Sequence, residues 1–264
     1  MKKVRLDQLV FDQGFTDSRE RAKTTIMSGL VFVNGQRADK PGMSVPEDAK
    51  IEVHGNALPF VSRGGYKLDK ALKVFPIDPT DKICIDCGAS TGGFTDVLLQ
   101  HGAKKVYAVD VGYGQLAWKL RSDERVVNME RTNLRYVTEE QIPEKLDLAV
   151  MDVSFISIRL VLPAVKALLK DGADIVCLIK PQFEAGRDEV GKKGVVRDEK
   201  VHESVVRGIL DFAPTIGLSV AGLDFSPIKG PEGNIEYICH MKNAELPTPD
   251  IDVAAIVAAS HEVL

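Results

Sequence analysis

"KICIDCGASTGGFTDVLLQHG", residues 82–102, decides the fold. KICIDCG is a short apolar run, a loop of small residues follows, and FTDVLLQ repeats its apolar positions at helical spacing until Gly102. Strand, glycine-rich loop and helix form the unit that holds nucleotides at the carboxyl edge of an open sheet. The alternation continues beyond it. KKVYAVDVG, RVVNME, LDLAVMDVSF and ADIVCLIKPQF read as strands. QLAWKLRSD, LVLPAVKALLKDG (broken early by Pro163) and KVHESVVRGILDFAPTIG read as helices. LSVAGLDFSPI and NIEYICHMK are strands with only the loop KGPEG between them, which makes them antiparallel neighbours. The expected fold is α/β, a Rossmann-like and mostly parallel sheet whose last strand is antiparallel.

The first 60 residues differ. VRLDQLVFDQG places Val4, Leu6, Leu9 and Val10 near helical spacing, and a second helix over TDSRERAKTTIMSG has Asp17 or Ser18 as its cap. LVFVNGQRA reads as a hairpin turning at Asn34-Gly35, and KIEVHG as another strand. This is a small α+β module ahead of the sheet. A linker follows, and its Gly64-Gly65 pair permits movement. Then comes a helix with a stripe of Tyr66, Leu68, Leu72, Val74 and Phe75, ended by Pro76.

The chain has 264 residues and a net charge of −4, unevenly spread. Residues 1–73 hold 13 Lys/Arg against 9 Asp/Glu, and the remainder 21 against 29. A basic module on an acidic body suits a polyanionic partner. MKKVRLDQLVFDQG is too interrupted by charge for a signal peptide, and no apolar run reaches the roughly 18 residues of a membrane span. A cytoplasmic chain without a membrane partner is expected. The four cysteines, Cys84, Cys87, Cys177 and Cys239, include one C-x-x-C, but no second pair completes a zinc site, so packing is expected and no metal.

The loop from Gly88 to Gly93 has Ser90 where a dinucleotide fingerprint needs its second glycine. Asp86 precedes the loop, and an acid there suits a cation better than a phosphate. Asp110 ends the second strand at the spacing of a carboxylate that grips ribose hydroxyls. A nucleoside with a positive centre and no phosphates fits both, and S-adenosylmethionine is that molecule. Its expected contacts are Asp86, Gly88, Ala89, Ser90, Thr91, Gly92, Gly93, Phe94, Asp110, Glu130, Asn133 and Asp152.

Two lysines bear on the methyl acceptor. Lys180 ends ADIVCLIKP at the carboxyl edge, and Asp152 ends the preceding strand, so each can partner the other. Glu236 lies in the final strand facing inward, and Lys67 starts the helix before the sheet. Residues 60–240 resemble the FtsJ-like ribose 2′-O-methyltransferases, whose signature is Lys-Asp-Lys-Glu. Lys67 in SRGGYKL, Asp152 in MDVSF, Lys180 in LIKPQFE and Glu236 in GNIEY match it in order. More narrowly, the chain resembles the TlyA-type rRNA methyltransferases, also called haemolysin A. In these an S-four-type RNA-binding module, here RLDQLV, SRERAKTTIMSGLVFVNG and DKPG, precedes the enzyme domain. The resemblance implies an RNA-binding domain over 1–57, a linker over 58–66 and a methyltransferase domain over 67–243; it leaves out the tail over 244–264, which reads as a Pro-interrupted stretch and then a short apolar helix. It also implies 2′-O-methylation of cytidine in ribosomal RNA, in the large subunit and in some members also the small one. Lys180 then contacts the hydroxyl, either as a cation or as a base whose pKa falls through burial and the neighbouring Lys67. Arg5, Ser18, Arg19, Arg21, Lys23, Arg37 and Arg63 are the candidates for RNA contact.

Competing readings are a non-catalytic RNA- or ribosome-binding protein, a pore-forming haemolysin, a pseudouridine synthase and a cysteine-dependent base methyltransferase. A haemolysin needs a membrane segment or a long amphipathic stretch. In a synthase, the tripeptide Arg5-Leu6-Asp7 would have to lie in a catalytic domain, and here it lies in the small module. A cysteine nucleophile belongs near the substrate, and none of the four is so placed.

Overall fold

The computed structural model describes residues 3–16, 18–54, 59–247 and 249–264. Asp17, one of two expected caps, and part of the expected linker lie outside them. The chain divides into two compact units, Met1–Arg63 and Gly64–Leu264.

The first unit opens with strand β1 (Lys3–Arg5) and helix α1 (Leu6–Asp12), followed by α2 (Arg19–Met27). Val4 therefore belongs to a strand, not to the first helix. Its partner, β4 (Ser44–Pro46), carries no alternation that a three-residue strand could reveal. Ser18 caps α2 by accepting the amide of Arg21 at 3.2 Å. Strands β2 (Val31–Val33), β3 (Gln36–Ala38) and β5 (Ile51–Val53) make a second sheet in the order β3-β2-β5. Asn34 and Gly35 turn the hairpin with φ of +50° and +78°, as a tight primed turn requires. Leu6, Val10, Ala22, Ile26 and Val31 are wholly buried and form this unit's core.

The second unit is built on β6 (Ile83–Cys87), β7 (Lys105–Val109), β8 (Val126–Met129), β9 (Leu146–Met151), β10 (Leu169–Ile179), β11 (Ser219–Phe225) and β12 (Tyr237–Lys242). Their order is β11-β12-β10-β9-β6-β7-β8, and β12 alone runs antiparallel to both neighbours. That is the expected sheet. Glu236 stands one residue ahead of β12 rather than within it.

Helix α3 (Gly65–Val74) starts at the two glycines, with Gly64 in helical backbone at its cap. Its buried side is Lys67, Leu68 and Ala71, whereas Val74 is 49% exposed. The apolar stripe read from sequence shares Leu68 with that side but takes in exposed Val74 and leaves out Lys67, because a lysine is not counted as a core residue. Helix α4 (Gly93–Gln100) follows the glycine loop, and α5 (Trp118–Arg121) keeps only four residues of the helix expected over QLAWKLRSD, since Ala117 is still extended. Pro163 does not break α6 (Leu162–Leu168). It lies in the first turn, where a missing N–H costs nothing. Helix α7 (Pro181–Glu184) follows Lys180, α8 (Glu199–Thr215) covers the sheet, and α9 (Val253–Val263) packs on α8 and β11. Val253 and Val257 of α9 join the main core, so the C-terminal helix is part of the sheet's packing.

All four cysteines are buried and unpaired. Cys177 and Cys239 face one another across β10 and β12. Burial pushes the Cys84 thiol up to about 12 and that of Cys87 well above its usual value. They serve packing, and none is an available nucleophile.

Candidate active site

The carboxyl ends of β6, β7 and β9 meet around the glycine loop. Gly88 has φ +85°, and a Cβ there would lie 2.6 Å from the carbonyl oxygen of Asp152, so only glycine lets the two strand ends approach. Beside this contact opens a cavity of about 440 Å³. Of the expected cofactor contacts, Gly88, Ser90, Asp110, Asn133 and Asp152 line it. Asp110 accepts the amides of Ser90 at 2.8 Å and Gly112 at 2.7 Å, which fixes its carboxylate while leaving lone pairs for hydroxyl donors. Leu134, Val111 and Ile156 give the cavity its apolar wall.

The other expected contacts are not part of that lining. Asp86 is 1% exposed, and its Oδ2 accepts from the amide and hydroxyl of Thr95 at 2.9 and 2.7 Å and so pins α4, while its Oδ1 is buried without a hydrogen-bond partner among the described residues. Burial pushes its carboxyl up to about 7. Glu130 pairs with Arg121 at 2.5 Å and accepts the amide of Gln115. Ala89, Thr91, Gly92, Gly93 and Phe94 shape the turn into α4, with Phe94 only 4% exposed.

Asp152 belongs to two sites. On its far side the structure brings Lys67, Lys180 and Glu236 together. Lys180 Nζ lies 2.5 Å from Asp152, and Lys67 Nζ lies 3.3 Å from Asp152 and 2.6 Å from Glu236. The side chains of Lys67, Lys180 and Glu236 are 7%, 6% and 0% exposed. Burial disfavours the Lys67 ammonium, but the two carboxylates outweigh it and raise its pKa above the usual lysine value. Burial likewise opposes ionisation of Asp152, and the two lysines overcome it and hold the carboxyl low. Two cations and two anions balance.

Four residues escaped the sequence reading. Ser154 accepts Lys180 Nζ at 3.0 Å, and Gln182 donates to Glu236 at 3.3 Å. Gly230 passes so close to Glu236 that a Cβ would sit 2.3 Å from Oε1. Phe155 is 90% exposed on the cavity rim, with φ +65°. The stretches DVSF and KPQF held three of them, though nothing in composition marked their side chains.

The RNA-contact candidates all lie in the first unit. Arg5 and Arg19 share the carboxylate of Asp7, and Lys23 pairs with Glu20 at 2.6 Å. The Oγ of Ser18 is engaged as the helix cap, the Arg37 guanidinium lies against Gly29, Arg21 is half-buried and Arg63 is exposed.

Residues 60–243 match the FtsJ-like methyltransferase family, and residues 4–51 match the S4 domain. A Bacillus subtilis (strain 168) protein named as a candidate rRNA methyltransferase, YqxC, is 52% identical over 100% of this chain and 96% of its own. The 16S/23S rRNA (cytidine-2′-O)-methyltransferase TlyA of Mycobacterium tuberculosis is 44% identical over 91% of this chain and 90% of its own. The solved structure of a hemolysin-named protein of Streptococcus thermophilus is 48% identical, covers 100% of this chain and 97% of its own, and superposes with a TM-score of 0.80. This chain belongs to the FtsJ-like methyltransferases, and within them to the TlyA group that carries an S4 domain ahead of the enzyme.

Proposed function

We propose that the chain methylates the ribose 2′-hydroxyl of cytidines in ribosomal RNA, using S-adenosylmethionine. The observation that carries the reading is the meeting of Lys67, Asp152, Lys180 and Glu236 beside the cavity. The cavity suits the cofactor: an acid at Asp110 for hydroxyls, an apolar wall, and Asp152 for positive charge. When bound, S-adenosylmethionine supplies an electrophilic methyl group on a sulfonium.

Lys180 meets the 2′-oxygen and stabilises the negative charge that grows on it as the hydroxyl proton leaves for water; the O–C bond forms as the methyl's C–S bond breaks, the sulfonium departing as a neutral thioether. Asp152 stands between Lys180 and Lys67 and touches both. In this reading Lys180 acts as a cation. Asp152, Lys67 and Glu236 hold it in place, and the rate rests on alignment. Phe155 gives a base a surface to stack on at the rim.

Residues 1–57 are taken as the RNA-binding domain, 58–66 as the linker, 67–243 as the catalytic domain and 244–264 as the tail, in a cytoplasmic protein that works on ribosomal subunits. Among the described residues no helix is long and apolar enough to cross a membrane, which leaves the pore-forming reading without a spanning helix. A binding protein without catalysis has no use for a charge-balanced buried tetrad.

The test is transfer of labelled methyl to unmodified large and small subunits, separately, with Lys180→Ala as control. Label on ribose that vanishes in the variant is the expected result. Label on a base, or transfer that survives Lys180→Ala, overturns the reading.

A further inference from the structure

Asp7 is an acid on the module assigned to RNA, and it is 0% exposed. Its carboxylate accepts Nε and Nη2 of Arg5 at 3.0 and 2.9 Å. Nη2 of Arg19 lies 3.3 Å from each of its oxygens, and the amide of Gln8 donates at 2.9 Å. Arg5 precedes α1 and Arg19 opens α2, so one carboxylate ties two separate segments. Arg5 also packs on Gly42, where a Cβ would lie 3.5 Å from Nη1. Both arginines nevertheless remain about half exposed, at 54% and 43%. Nη1 of Arg5 and Nε and Nη1 of Arg19 carry N–H donors that Asp7 does not take.

We propose that Asp7 is a positioning residue that converges Arg5 and Arg19 into a fork for a single phosphate of the RNA backbone. Paired guanidinium N–H groups match the oxygens of a phosphate, and arginines already held in place lose little freedom on binding. The triad carries a net charge of one, which a phosphate diester neutralises. The inference rests on the RNA-binding reading of this module and deepens it. Simple charge counting gives the opposite sign, because removing an acid from a surface that meets a polyanion raises affinity.

The test is binding of the full-length chain to large-subunit ribosomal RNA transcribed in vitro, across a series of salt concentrations. Asp7→Asn is expected to weaken binding about tenfold, the loss of roughly one charge-assisted hydrogen bond. The slope of log affinity against log salt should become shallower by about 0.7–0.9, the value of one phosphate contact. A merely structural role leaves that slope alone. Arg19→Lys and Arg5→Lys keep the charge but lose the fork, and should weaken binding nearly as much as Arg19→Gln and Arg5→Gln. Should circular dichroism show Asp7→Asn unfolded, these exposed lysine variants decide. Unchanged or tighter binding in Asp7→Asn, or full affinity in the lysine variants, overturns the fork. If the glutamine variants also bind like wild type, the RNA-binding reading of these arginines falls as well.

Discussion

Replacing Glu236 by glutamine keeps its shape and removes one charge from the most enclosed part of the site. Glu236 is 0% exposed and lies 2.6 Å from Lys67 Nζ. Burial disfavours the Lys67 ammonium, and Asp152 and Glu236 together outweigh that burial. The folded chain therefore holds this proton more tightly than the unfolded chain. The resulting stability is complete below the unfolded lysine value of about 10.4 and is lost as pH rises through the folded one. In Glu236→Gln, burial is opposed by Asp152 alone, at 3.3 Å. Breaking one side of a buried pair costs about 3–5 kcal/mol, so urea unfolding at pH 7 should show a deficit of that size. Once the variant's lysine sheds its proton in the folded state, the deficit shrinks by about 1.4 kcal/mol per pH unit. The curves should be closer at pH ~9.5 than at pH ~7. Adding Lys67→Met should restore much of the stability without restoring methyl transfer, since it removes the buried ammonium that the first substitution leaves with a single carboxylate. A deficit below about 1 kcal/mol at pH ~7 is the value of an exposed pair. That result, or a deficit equal at both pH values with no rescue by Lys67→Met, refutes the reasoning.

Asp86→Asn should raise the melting temperature at pH ~8 and lose that advantage by pH ~4. The folded carboxyl keeps its proton up to about 7, whereas the unfolded one releases it near ~3.9, so the wild type loses stability across that window. Melting curves at both pH values check the sign. Gly230→Ala puts a Cβ 2.3 Å from Glu236 Oε1 and should cut kcat about tenfold or more, for about 1–3 kcal/mol of stability. Steady-state methylation and urea unfolding, measured together, separate the two effects. Tyr237→Phe removes the hydroxyl that joins His202 Nδ1 at 2.8 Å to Ser260 at 3.2 Å. It should cost about 1–3 kcal/mol, read from the urea midpoint.

The sheet was legible because buried parallel strands announce themselves as apolar runs such as LAVM and IVCLI, with helices between them. The Lys180–Asp152 pair was legible from the two strand ends, whereas Lys67 and Glu236 were joined to it through family resemblance. What the sequence hid shares one cause: polar groups made buriable by distant partners. Lys67 lies on the buried side of α3 because Glu236 and Asp152 neutralise it, and hydropathy therefore left it out of the core. Asp86 carries hydrogen bonds inward to Thr95 that its place at the strand end did not reveal. Asp7 entered the sequence reading only through the tripeptide Arg5-Leu6-Asp7, and its pairing stayed hidden because its partners stand on two other segments. Glu130 follows the same pattern with Arg121.

The place of β12 in the sheet sets a schedule for the chain as it is made. Lys67 and Glu236 are 169 residues apart, and β12 fits between β10 and β11 although it is synthesised after both. At about 5–20 residues per second, the lysine waits roughly 8–34 seconds for its carboxylate to leave the ribosome. Until then β11 lacks the one strand it pairs with, and every nascent enzyme passes through a stage with an incomplete sheet and an unclosed tetrad. Catalytic competence arrives with one of the last strands translated, so a chain stopped before residue 236 holds the glycine loop, two lysines and one acid, and cannot close the tetrad.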